Sequence, residues 1–134
     1  MTISSFHDLL AAAREQDQPQ RLLFVFAGAE LAEDCTAEQR ARFEAGEGGA
    51  LVPLMSVDKA PDDIASFGAL ELESRQFGRD WVIVFVAAMS GRNGVAPSSA
   101  DAPEPLQRMM ASIKSGQLAA FIPFDRQGQP VDFS

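Results

Sequence analysis

The 134-residue chain is poor in the residues that usually announce chemistry. It has one cysteine, Cys35, one histidine, His7, and no tyrosine. A lone cysteine excludes an internal disulfide and fits a reducing compartment. One histidine and one cysteine cannot make a zinc site by themselves. Long apolar runs are also missing. The longest, Trp81 to Met89, has nine residues, where a membrane helix needs about 20. The first residues, MTISSFHDLLAAAREQ, lack a basic start, and Asp8 interrupts their apolar stretch, unlike a secretory signal. A cytoplasmic protein is expected. Positive charge is scarce: eleven Lys and Arg face nineteen Asp and Glu, for a net charge of −8. The basic residues form no cluster, so nucleic acid and membrane surfaces are disfavoured partners.

The apolar content is that of a globular chain. At 46% hydrophobic and 22% charged residues, one domain over 1–134 can bury a core without a disulfide or metal staple. Ser5-Phe6-His7-Asp8 resembles a capping box, and Phe6, Leu9, Leu10 and Ala13 repeat at helical spacing, predicting a helix over 5–16. Leu22 to Ala27 reads as a strand apolar on both faces. Thr36 with Gln39 forms a second capping box and opens a mostly polar helix over 37–45, which Gly46-Glu47-Gly48-Gly49 stops. Ala50 to Val57 is a second strand. Pro53 removes a ladder donor there, so it belongs at an edge or a bulge. Pro61, Asp62 and Asp63 suit the start of a helix over 62–77, with Ile64, Phe67, Leu70 and Phe77 as its buried stripe and Gly78 as its C′ residue. Trp81 to Ala88 is the second strand apolar on both sides. A long loop, Ser90 to Glu104, leads to a helix opened by Pro105 that buries Leu106, Met109, Met110 and Ile113. Ala119 to Phe124 is a fourth strand. Asp125 to Gln129 turns the chain into a short strand at Val131 to Phe133.

Alternating helices and strands predict an α/β three-layer sandwich. Its sheet would be mostly parallel, in the order 2-1-3-4, with the C-terminal strand antiparallel and helices on both faces. In such a sheet ligands sit at the carboxyl ends of strands where the order reverses. That rule gathers Glu30, Asp58, Lys59, Ser90, Arg92 and Asn93 on one rim, with Asp125 and Arg126 beside them. Gly91-Arg92-Asn93-Gly94 is the strongest local candidate. Its glycines let backbone amides approach an anion, and Arg92 can pair with a phosphate or carboxylate. It is neither a P-loop nor a dinucleotide fingerprint. Cys35, beside a helix start but among acidic residues, reads as inert, His7 as a surface residue, and Ser90 lacks a nucleophile elbow.

Together, RLLFVFAGAEL (21–31), GGALVPL (48–54), VDKAP (57–61) and WVIVFVAAMSG with PSS after it resemble a family of small bacterial proteins often labelled ribonucleotide reductase subunit alpha. The resemblance covers nearly the whole chain and carries over no functional residues. Reductase catalysis itself is disfavoured. Catalytic subunits are several times longer and need a reducing cysteine pair and a radical cysteine. This chain has one cysteine and no tyrosine.

Three functional readings result. The first is a non-catalytic binding or accessory protein, acting through the Ser90–Glu104 loop or the second-strand edge, which could also pair a homodimer. The second is a domain binding a small anionic metabolite at the rim through Arg92 and Lys59. The third is a small enzyme with Glu30, Asp58 or Asp125 as general base. No cofactor or metal is implied by any motif.

Overall fold

The computed structural model describes residues 4–30, 36–44, 50–78 and 80–131. Expectations on Cys35, on Gly46 to Gly49 and on the end of the last strand lie outside these residues. Among the described residues four α-helices and four strands follow one another: α1 (Phe6–Arg14), β1 (Gln20–Glu30), α2 (Ala37–Glu44), β2 (Ala50–Lys59), α3 (Phe67–Ser74), β3 (Ile83–Ser90), α4 (Pro103–Lys114) and β4 (Ile122–Asp125).

The sheet order is β2-β1-β3-β4, with the Pro-bearing strand at the edge. Its direction corrects the expectation of a mostly parallel sheet, because every neighbouring pair is antiparallel. Gln20 at the start of β1 faces Ser90 at the end of β3, and Ala27 faces Ile83. A strand apolar on both faces shows only that both faces are covered. That is equally true of an antiparallel sheet lying between two helical layers. Nor do the helices act as simple crossovers. The described side chains of α2 are exposed, so β1-α2-β2 is a long hairpin connection. The helical crossover from β2 to β3 skips over β1.

Alternation along β1 feeds two cores. Leu22, Phe24 and Phe26 join Phe6, Leu9 and Leu10 of α1 and Leu70 of α3. Leu23, Val25 and Ala27 pack against Leu106, Met109 and Ile113 of α4. The first core is aromatic: Phe6 meets Phe67 and Phe124 edge-on, at centroid distances of 5.1 and 5.5 Å, a favoured geometry for ring pairs.

Both strand prolines sit where no ladder hydrogen bond is lost. Pro53 lies opposite Ala27, beside a register shift. The Ala27 carbonyl accepts from Val82, so this position faces away from the β1–β2 ladder. The Pro123 carbonyl accepts from Val131 at 3.0 Å, so its backbone polar side points away from β3.

The helix over 62–77 resolves into three pieces: a 3-10 turn at Pro61–Asp63, α3, and a 3-10 turn at Arg75–Phe77. Ser66 restarts the chain as an N-cap, its hydroxyl accepting from the Ala69 amide. The phase break leaves Ile64 and Leu70 buried but Phe77 half exposed. Gly78 takes the expected left-handed conformation, φ 66°. The Ser5 and Thr36 caps form as the sequence predicts, although the Asp8 carboxylate accepts from Ser4. β4 begins at Ile122. Ala119 and Ala120, expected in the strand, lie in a turn closed by the Phe121 amide on the Leu118 carbonyl. No helix of the described residues is long and apolar enough to cross a membrane.

Candidate functional site

Antiparallel pairing divides the predicted rim between opposite ends of the sheet. Ser90 ends β3, and Arg92 and Asn93 lie just past it. Asp58 and Lys59 share that end, because Lys59 pairs with Leu22. Glu30 ends β1 at the far side, beside the end of the sheet where Ile83 pairs with Asp125. Roughly 30 Å of strand separates Glu30 from the β1 start. The proposed meeting of Glu30 with Arg92 is therefore overturned, and the carboxyl-end rim with it. Asp125 and Arg126 sit at the Glu30 end. The Asp125 carboxylate closes its own turn by accepting from the Gln127 and Gln129 amides.

At the Ser90 end, the two faces hold different groups. Lys59 points to the α1 side and pairs with Glu73 of α3 at 2.9 Å. Asp58 points to the α4 side. Its Oδ2 accepts from Arg21 Nε and lies 2.6 Å from Arg21 Nη2, and Ser99 Oγ donates to it at 2.7 Å. Burial pushes the Asp58 carboxyl up, but the Ser99 and Arg21 hydrogen bonds and the Arg21 charge outweigh it and hold it below its ordinary value. A carboxylate with a depressed folded pKa contributes stability above about pH 4, and that contribution is lost as pH falls through the folded value. Chemical denaturation of wild type is expected to show a fall in stability as pH drops below about 4. Asp58→Asn, less stable at pH 7, should show a smaller fall. An equal fall in both would mean that the contact does not form.

The Ser90–Glu104 segment, predicted as an irregular loop, is built up from local pieces. The Gly91 amide donates to the Pro19 carbonyl at 2.8 Å, and Arg92 and Val95 exchange two backbone hydrogen bonds. Between them Asn93 (φ 53°) and Gly94 (φ 77°) take the left-handed conformations of a tight hairpin turn, the pair Asn-Gly being suited to it. The Gln18 side chain accepts from the Gly94 amide. Ser98 and Asp101 then form a capping box around a 3-10 turn, and α4 begins at Pro103, two residues earlier than the sequence suggests.

Two open clefts lie on the α4 side of the β3 end. One, of about 490 Å³, lies between the hairpin and the start of α4, where Arg92 faces Asp101, Glu104 and Arg108. The second, about 520 Å³, runs between α4 and β3 past Met109 and Phe121. They share Met89, Ser90, Pro105 and Arg108 and form one groove. Arg108 is tied to Glu104 at 3.1 Å and Asp101 to Ser98. Arg92 makes no side-chain hydrogen bond or ion pair with the described residues, and is the uncommitted charge of the groove. Ser90 Oγ accepts from Gln20. Asn93 serves the turn.

Of the residues expected from the sequence, Ser90 and Arg92 line this groove, while its α4 wall was not among them. Pro105, Arg108 and Met109 could be read only as helix. Compared with known proteins, the chain matches no family model, no curated protein and no solved structure, and nothing in these comparisons links it to ribonucleotide reductase.

Proposed function

We propose that this chain is a non-catalytic binding or accessory protein and that its partner seats in the groove between the β3 end and α4. The observation that carries this reading is the uncommitted Arg92 at the mouth of an open groove with an apolar floor of Met89, Pro105 and Met109. Three of the other expected site residues have structural partners: Asp58 holds Arg21 and Ser99, Lys59 holds Glu73, and Asp125 holds its turn. A general base needs a proton to take within hydrogen-bond reach, and the Asp58 and Asp125 carboxylates are already engaged.

Site-specific cross-linking tests the reading. A photoreactive residue at exposed position 108 should give a discrete adduct with a partner identifiable by mass spectrometry. The same residue at exposed position 40, on α2, should not. Equal patterns from both positions, or none from 108, would contradict it. A small-anion reading keeps one supporting fact, two arginines on one groove. It predicts that phosphate, a nucleotide or a carboxylate raises the melting temperature of wild type and not of Arg92→Ala. Lys59 drops out of that reading, since it sits on the opposite face of the sheet.

A further inference from the structure

We infer that the groove takes an extended peptide segment, which adds as a strand to an open stretch of β3 and offers a carboxylate to Arg92. The inference rests on the binding reading above and names its partner class. It starts from the backbone of β3. Gly91 donates to Pro19 across the β1 ladder, and strand backbones alternate sides. Ala87 and Met89 therefore bond towards β1, while Ala88 and Ser90 point their N–H and C=O groups the other way. On that outer side β4 covers β3 only as far as Val86, paired with Ile122. Further on, Val95 pairs with Arg92. Between these two closures the outward groups of Ala88 and Ser90 have no ladder partner among the described residues.

This gap is flanked by apolar space on both faces. On the α4 side is the cleft of about 520 Å³. On the α1 side is another of about 310 Å³, where Leu9, Ala12, Ala13 and Leu22 form the wall. Both clefts reach Ala87, Ala88 and Ala120, whose small side chains leave the edge accessible. An incoming strand bonds to Ala88 and Ser90 through its own backbone. Its successive side chains then point alternately into the two clefts. The gap, Ala87 to Gly91, spans roughly 13 Å, room for about four residues of a peptide. Arg92 stands at one end, its guanidinium able to take a carboxylate in a two-pronged contact.

A second copy of the chain fits less well. Antiparallel pairing of Ala88 with Ser90 of another copy would set Arg92 against Val86, an apolar residue already paired with Ile122, and would bring together two chains of net charge −8.

The test uses a phage-displayed library of random ten-residue peptides selected on the full chain, with the best binder synthesised. The expected binders alternate apolar residues and carry Asp, Glu or a free C-terminus at one end. Binding should slow amide exchange at Ala88 and Ser90 at least tenfold. Arg92→Ala should weaken binding at least tenfold with the melting temperature kept. Ala88→Pro, whose lost N–H faces outward, should abolish strand addition. If that variant fails to fold, the exchange data on wild type decide alone. Peptides that bind without slowing those two amides would overturn strand addition while leaving the groove as a binding site. Concentration-dependent self-association that protects the same amides would make a second copy the occupant and overturn the inference. Failure to enrich any peptide would overturn it too, and cross-linking from position 108 would still decide the broader reading.

Discussion

Trp81→Ala should cost about 3–5 kcal/mol of folding stability, the range for emptying a large aromatic site in a core. Trp81 is 1% exposed and meets Phe26 edge-on at 4.9 Å. It also anchors polar contacts at the Glu30 end of the sheet. Its indole Nε1 donates to Ser74 Oγ at 2.8 Å, inside the core. The Ser74 hydroxyl donates onward to the Glu71 carbonyl at the end of α3. The Arg126 guanidinium stacks 4.8 Å above the ring and donates to Glu71 at 2.7 Å. Arg75 holds the other Glu71 oxygen at 2.9 Å. Hydrogen bonds from Arg75 and Arg126 keep the Glu71 carboxyl below its ordinary range. One ring thus ties α3, the entry to β3 and the turn after β4.

The polar part is separable from the packing. Ser74→Ala leaves the indole N–H buried without an acceptor and should cost about 1–3 kcal/mol. Adding Trp81→Phe removes that stranded donor, so the double variant should be more stable than the two single losses predict. Urea denaturation followed by circular dichroism measures all three, since the chain has only this tryptophan to report by fluorescence. A costless Ser74→Ala would show that the indole does not depend on the hydroxyl.

Gly91→Ala should also have a large effect, and it acts on the groove. A methyl group there would lie 2.2 Å from the Val95 carbonyl oxygen and 2.9 Å from that of Pro19. Both neighbours are backbone, so neither can rotate aside. Either the hairpin or the β1 start must move, and the bond from Gly91 to Pro19 is strained in both cases. Overpacking of this kind costs about 1–3 kcal/mol. Gly94→Ala is the control. It sits three residues on with nothing within 4 Å of the added carbon, so only its left-handed backbone resists, at about 1 kcal/mol. Thermal denaturation should rank Gly91→Ala well below Gly94→Ala. The chemical shifts of Arg92 and Met89 should move in the first. Equal melting temperatures would mean that the hairpin does not pack against Pro19.

The central place of the Leu22–Ala27 and Trp81–Ala88 strands and the edge position of the Pro53 strand were legible in the sequence, because they follow from burial and from a missing donor. Helix caps were legible because Ser5 and Thr36 stand at fixed offsets from the amides they satisfy. Strand direction was not. Leu22–Ala27 and Trp81–Ala88 are apolar on both sides, and only the connection geometry distinguishes parallel from antiparallel. α2 looked like a crossover helix, yet Glu38, Gln39 and Arg42 give it no apolar face to lay on the sheet. The groove was half legible. Arg92 and Ser90 stood out in a long Gly-rich segment. The open edge did not, since Ala119 and Ala120 have nothing against strand structure. Gly116 (φ 80°) and the Leu118–Phe121 turn postpone β4, and that delay leaves β3 longer than its neighbour.

Amide exchange on the free chain tests the open edge most directly. Protection should alternate along the end of β3, with Ala87 and Met89 slow because they bond to β1, and Ala88 and Ser90 fast because they face solvent. Ala88 and Ser90 amides as slow as those of their neighbours would mean that the edge is already filled, and the groove would lose its main-chain half.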